Sequence, residues 1–191
     1  GAEGLGEYFA FFLWSYPLSF IFGALSSLGF SFAILERVLL VLPILGLGFF
    51  GIWNVCQTFK LSSSAKLIAS LIYLTNTYII LLIDGGQLSI GLSYAFFPLS
   101  FLAVLKSVMS GFRAKVLAGM SLAILGFFDF RLIFVLFLLL FLRFLYEFFY
   151  LERKKWGNWI REWTFAGVVC ALVLLGLNAY WLLPLKFAPI T

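Results

Sequence analysis

The sequence has 191 residues, of which 64% are hydrophobic and 11% charged, and its mean hydropathy of +1.12 excludes a soluble globular protein and indicates an integral membrane protein. The net charge of +5 comes from basic residues spread through short loops, so no basic face for nucleic-acid binding is expected. The absence of histidine excludes imidazole-based catalysis and imidazole metal sites.

The N-terminal part predicts one ambiguous and one clear membrane segment. Residues 8–35 carry no charge, but aromatic residues and Pro17 interrupt them, so an interfacial helix and a kinked first span both fit. Residues 38–59 follow a charged pair and are long enough to cross the membrane. Their glycines match the dinucleotide-binding pattern GxGxxG, but no strand is predicted before it, so we expect them to let neighbouring helices pack closely.

A hairpin of two apolar helices is predicted at residues 67–83 and 88–105, each near the ~20 residues that a membrane crossing needs. Asp84 and Gln87 lie in the small polar turn between them. A solvated turn and a functional tip facing a polar ligand both remain open. Asn76 lies inside the first helix between two threonines, and we expect this polar cluster to face protein rather than lipid.

Residues 116–150 form a longer apolar stretch with Asp129 and Arg131 near its middle. The basic loops on both sides should be cytoplasmic by the positive-inside rule, so the stretch must enter the membrane and return. Two full crossings need ~40 residues or more, which predicts a cramped hairpin of helices 116–128 and 132–150 with its tip below the outer surface. The two charges must then pair with each other or line a polar cavity, and both alternatives stay open.

A last span is predicted at residues 163–185. The whole chain, 1–191, is predicted to be a single all-α domain, a polytopic transmembrane helix bundle of about six to seven membrane segments that include short hairpins. We expect a multi-pass protein of the cell membrane in which Asp84 and Asp129 face outward. Both cysteines lie in apolar runs and are expected to be small core residues. Because residue 1 is glycine and the chain ends without a polar tail, we expect a fragment of a longer protein.

Short motifs follow one another along most of the chain. They are Pro17, Leu28-Gly29, Glu36-Arg37, Tyr73-Leu74-Thr75-Asn76-Thr77-Tyr78, Asp84-Gly85-Gly86-Gln87, Tyr94-Ala95-Phe96-Phe97-Pro98-Leu99, Asp129-Phe130-Arg131 and Asn178-Ala179-Tyr180-Trp181-Leu182-Leu183-Pro184. Their order resembles the N-terminal membrane region of large GT-C-type glycosyltransferases, and the nearest resemblance is to the arabinofuranosyltransferase-D-like and YfhO-like proteins of prokaryotes. In that family the central motif is commonly Asn-Pro-Tyr, whereas here Thr77 stands in the proline's place.

The resemblance implies transfer of a sugar from a polyprenyl-phosphate donor at the outer face, with the catalytic acid in a loop upstream of Gly1. A lipid-linked sugar donor needs a cation for its phosphate and acceptors for its hydroxyls. Arg131 is the candidate for the phosphate. The candidates for the sugar hydroxyls or a divalent cation are Asp129, Asp84, Gln87 and Asn76. No cofactor is evident, and no spacing specifies metal ligands. A secondary transporter and a non-catalytic membrane assembly subunit are the alternatives.

Overall fold

The computed structural model describes Leu13, residues 16–150 and residues 156–187. Every secondary-structure element in these ranges is helical, as the sequence predicts. The elements are α1 (Tyr16–Ser27), α2 (Phe32–Glu36), a π-helical turn (Arg37–Val41), α3 (Leu42–Thr58), α4 (Ser63–Thr75), α5 (Thr77–Asp84), α6 (Leu88–Val108), α7 (Phe112–Asp129), α8 (Arg131–Tyr150) and α9 (Trp156–Phe187). The first part of the segment predicted at residues 8–35 lies outside the described residues.

Within the described ranges, four helical runs are long and apolar enough to cross a membrane, which fits a membrane protein. They are Phe32–Thr58, Leu88–Val108, Arg131–Tyr150 and Trp156–Pro184, and the bent pair of α4 and α5 makes a fifth if it is one span. This is fewer than the about six to seven segments expected from apolar run lengths. The difference has a physical reason: α1 has only 12 residues, and α7 carries Arg113, Lys115 and Asp129.

Helix α6 lies at the centre of the bundle, between α3 on one side and α7 on the other. Helix α4 covers α3, and α9 covers α7. Glycines make the close approaches, as expected for the GxGxxG pattern: a Cβ on Gly48 would lie 2.6 Å from Leu74 Cδ2, and one on Gly51 would lie 3.2 Å from Pro98 Cβ. Gly48 and Gly51 therefore form a helix-packing surface, whereas a Cβ on Gly46 would meet no atom within 4 Å.

Buried serine hydroxyls link neighbouring helices. Ser93 Oγ donates to the carbonyl oxygens of Leu125 and Asp129 at 3.2 and 3.3 Å, and Ser100 Oγ donates to the carbonyl of Ser121 at 3.3 Å. A hydroxyl buried in apolar surroundings is costly without a partner, so these bonds set the register of α6 against α7.

The chain reversals lie at two opposite ends of the bundle. Phe128, next to the reversal between α7 and α8, packs with Leu82 and Leu88 beside the turn of the first hairpin. At the other end, Thr58 and Lys106 line one cavity, so the loops that follow α3 and α6 lie together. We call this the basic end, after its exposed residues Lys60, Lys106 and Arg113.

Cysteine labelling tests the arrangement of the two ends. Gln87 and Ser64 are both exposed, at opposite ends of the bent pair α4 and α5, while Cys56 and Cys170 are buried. We expect Gln87→Cys to react with an impermeant maleimide from outside the cell and Ser64→Cys only from the cytoplasm, because basic loops stay inside. If both variants reacted from the same side, the two ends of the bundle would not lie on opposite sides of the membrane. If Gln87→Cys reacted only from the cytoplasm and Ser64→Cys from outside, the orientation of the bundle would be inverted.

The contact of α7 with α9 depends on Gly119. A Cβ at this position would lie 2.7 Å from Val173 Cβ and 3.1 Å from Cys170 Cα, whereas one at Gly176 would meet no atom within 4 Å. We expect Gly119→Ala to lower the free energy of unfolding by ~1–3 kcal/mol relative to Gly176→Ala, because the two helices must move apart. Thermal unfolding in detergent measures the difference. Equal stability of the two variants would show that α7 and α9 leave room for a methyl group at Gly119.

Candidate functional site

Asp129 and Arg131 form an anchored ion pair at the reversal between α7 and α8. The side chain of Asp129 is 3% exposed and that of Arg131 is 66% exposed. The Asp129 carboxylate accepts hydrogen bonds from the backbone N–H of Arg131 at 2.8 Å, from its Nε at 3.0 Å and from its Nη2. The buried carboxylate therefore orients a guanidinium that stays largely accessible.

The reversal lies below the neighbouring end of α6. Ser93, whose hydroxyl donates to the Asp129 carbonyl, is fully buried and is about 8 Å along the helix from Leu88 at a rise of ~1.5 Å per residue. Helices α7 and α8 thus turn back short of the end of the bundle, in keeping with the short hairpin that the sequence predicts. The ion pair therefore lies beside α6 near the level of Ser93.

Asn76 lies at a break between α4 and α5, where the two helices meet at 40°. Its Oδ1 accepts from the Ile79 N–H at 3.1 Å, and its Nδ2 donates to the Tyr73 carbonyl and to the Tyr94 hydroxyl, both at 2.7 Å. Asparagine competes for backbone hydrogen bonds and favours N-caps, which explains why the helix restarts here. Asn76 faces protein as expected, whereas its threonine neighbours are exposed.

Tyrosines connect this break with the ion pair. The Tyr73 and Tyr94 rings stack with centroids 4.3 Å apart, and the half-exposed Tyr78 ring lies 5.4 Å from Tyr94. Tyr94 follows Ser93 in α6, and the Ser93 hydroxyl donates to the Asp129 carbonyl, so the tyrosines and the ion pair adjoin the same turn of α6. We call these side chains the tyrosine–arginine surface, made of Tyr73, Asn76, Tyr78, Tyr94, Asp129 and Arg131.

The side chains of Asp84 and Gln87 form no hydrogen bond with that surface. Asp84 ends α5 and Gln87 precedes α6, and both are exposed at the turn. Neither side chain forms a hydrogen bond with another residue of the described ranges. The structure therefore pairs Asp129 with Arg131, bonds Asn76 to Tyr73 and Tyr94, and leaves Asp84 and Gln87 at the tip. In the same ranges, the His, Cys, Asp and Glu side chains form no group of three or more that could hold a metal ion.

Lys115 directly precedes the apolar stretch 116–150, in a basic segment expected to be a cytoplasmic loop, but it is a buried structural residue. It is 1% exposed, and its Nζ donates to the carbonyls of Ser107, Val108 and Ser110 and to Glu162 Oε2, at 2.6–3.1 Å. An ammonium satisfies the free carbonyls at the end of α6 and joins them to α9. The sequence signal for this burial is the position of the lysine one helical turn into α7, after a glycine cap.

Comparisons of the chain with family models, with curated proteins and with solved structures found no match.

The break at Asn76 gives a stability prediction. Asn76→Leu removes the cap of α5 and two donated hydrogen bonds, so we expect it to lower the free energy of unfolding by ~1–3 kcal/mol. Thr77→Leu is the matched control, because Thr77 is exposed and should change stability by less than ~0.5 kcal/mol. Both are measured by thermal unfolding in detergent. Equal losses would mean that the contacts of Asn76 with Tyr73 and Tyr94 contribute nothing.

Proposed function

We propose that this chain is the membrane region of a GT-C-type glycosyltransferase, similar to arabinofuranosyltransferase-D-like and YfhO-like proteins, that binds a polyprenyl-phosphate-linked sugar at the outer face of the cell membrane. One observation carries the proposal. An accessible guanidinium, Arg131, is held by the buried carboxylate of Asp129 at the reversal between α7 and α8.

The first part of the proposed site is the phosphate contact. Guanidinium groups match phosphate oxygens in geometry and keep their charge in poorly hydrated places. Asp129 fixes the direction of the Arg131 side chain, so less conformational entropy is lost when a ligand binds. The exposed part of the side chain faces away from that carboxylate and receives the phosphate of the donor.

The second part of the proposed site is the sugar contact. Tyr78 is half-exposed and packs against the Tyr94 ring, which Tyr73 and Asn76 hold in place, and we propose that its ring contacts the sugar of a donor bound at Arg131. An amphipathic ring next to a cation suits a sugar attached to a phosphate, because the ring contacts the apolar face while polar groups bind the hydroxyls.

The remaining candidates have supporting roles in this proposal. Asp84 and Gln87 at the exposed turn bind hydroxyls of the sugar or a divalent cation from the side of the tip. The catalytic acid belongs to the part of the protein that the resemblance places upstream of Gly1. This region then binds and orients the donor.

A secondary transporter is the second candidate, favoured by the 40° bend at Asn76. Broken helices with polar groups at the break line the substrate sites of many transporters. A non-catalytic assembly subunit would use Asp129 and Arg131 only to hold α7 and α8 together. The three candidates predict different behaviour of the ion pair.

Substitutions at the ion pair test the proposal. Arg131→Leu should destabilise the protein by about 3 kcal/mol, because it leaves the buried Asp129 carboxylate unpaired, and Asp129→Leu should cost less, because Arg131 is exposed. The double variant should fold and lose binding of a polyprenyl-phosphate sugar, measured by native mass spectrometry. Arg131→Lys should weaken binding roughly tenfold, because it keeps the charge and loses the fork.

Arg113→Leu is the control, since it removes an exposed positive charge at the basic end. Full donor binding by the folded double variant would overturn the proposed function. If that variant instead abolished solute uptake into proteoliposomes by a chain that binds no donor, the transporter would be supported. If the unmodified chain shows neither donor binding nor solute uptake, the assembly subunit is the remaining candidate.

A further inference from the structure

A crevice between α8 and α9 opens on the apolar surface of the bundle. Both helices pack against α6 and α7, but within the described residues their backbones scarcely approach each other. The cavity has a volume of about 320 Å³, which is in the range of ligand sites. Its α8 wall carries large side chains such as Phe137 and Phe141, and its α9 wall carries small ones such as Gly167 and Ala171. All four are exposed, so the crevice is open to lipid.

A second cavity of about 230 Å³ continues the crevice at the basic end. The two cavities share Val108 and Trp163, so they lie next to each other. Lys106, Arg143 and Glu147 line the second one. An apolar slot is thus followed by a mouth with charged and aromatic groups, at the depth where a bilayer lipid changes from chain to headgroup.

The charge of Glu147 in this mouth is already compensated. Its Oε1 lies 2.6 Å from Arg143 Nη2, and its Oε2 accepts from the indoles of Trp159 at 2.9 Å and Trp163 at 3.1 Å. Phe144 stacks on Trp159 with ring centroids 4.7 Å apart. These contacts hold both indoles in fixed positions, so the mouth is formed before a ligand binds.

The mouth therefore has a net positive charge. Lys106 is exposed and forms no ion pair with another residue of the described ranges, and the Arg143 side chain is 42% exposed despite its pair with Glu147. Basic pockets between membrane helices attract lipids with anionic headgroups, and each basic residue near the membrane surface adds to that attraction.

We propose that this crevice is a binding site for a bilayer lipid with an anionic phosphate headgroup. One chain of the lipid lies between α8 and α9, and Lys106 and Arg143 bind the phosphate at the basic end. The site is at the opposite end of the bundle from the tyrosine–arginine surface, so it does not depend on the proposed function.

Glycine substitutions in α9 test the chain part of the site. A Cβ at Gly167 and one at Gly176 would both meet open space, but only Gly167 lines the crevice. We expect Gly167→Leu to reduce retention of phosphatidylglycerol by the purified chain on the order of tenfold, because its side chain fills the apolar slot. Gly176→Leu should retain the lipid. Native mass spectrometry in detergent measures both, and equal behaviour of the two variants would overturn the proposal.

Charge substitutions test the headgroup part. The unmodified chain should retain phosphatidylglycerol over phosphatidylcholine, and Lys106→Ala should reduce that preference roughly fivefold. Arg113→Ala is the matched control, since Arg113 is exposed at the same end without lining the mouth. If the unmodified chain shows no preference for phosphatidylglycerol, or if both variants lose the preference equally, the chain contacts only bulk lipid and the proposed headgroup site is wrong.

A measurement on the unmodified chain covers the case in which Gly167→Leu does not fold. Trp163 lines both cavities, so chain-brominated phosphatidylglycerol at low mole fraction in phosphatidylcholine vesicles should quench its fluorescence more than the mole fraction predicts. The excess should disappear in Trp163→Phe. Quenching in proportion to the mole fraction would overturn the site.

Discussion

The contact between α6 and α7 is the constraint on which the rest of the bundle depends. In apolar surroundings an unpaired polar group costs free energy, and within the described residues every buried side-chain nitrogen and oxygen has a partner. Ser93 and Ser100 bond to carbonyls of α7, and Lys115 binds the last carbonyls of α6. These bonds hold α6 at the centre, with α7 on one side and α3 packed on the other side at Gly51, while α9 packs on α7 at Gly119.

The position of the Asp129–Arg131 pair follows from this register. Because the Asp129 carbonyl is bonded to Ser93, the reversal after α7 stops short of the start of α6. The Asp129 carboxylate is consequently buried, and a buried carboxylate needs a compensating cation. Arg131 supplies it from outside, which leaves most of the guanidinium accessible. A packing requirement between two helices thus produces an oriented cation on the surface of the protein.

The two ends of the bundle present different chemistry for the same physical reason. At one end a buried acid orients an accessible arginine, and at the basic end Glu147 orients two indoles and pairs with Arg143. In both places a carboxylate whose hydrogen bonds stabilise the fold also holds neighbouring polar side chains in fixed positions. A phosphate fits beside each, one on a lipid-linked sugar and one on a bilayer lipid in our proposals.

The sequence by itself determined the helical class, the apolar helices and the glycine packing surface, because composition and run length depend only on local residues. It also predicted a reversal near Asp129 and Arg131, from the length of the apolar stretch. Only the tertiary structure decided that Asn76 breaks its helix and that Lys115 is buried. Besides its local partners, Asn76 bonds to Tyr94, 18 residues away, and Lys115 to Glu162, 47 residues away, and no local pattern states which distant groups will meet. Within the described residues, four helical runs, or five with the bent pair, are long and apolar enough to cross a membrane, and α1 and α7 are not among them because α1 is short and α7 is charged.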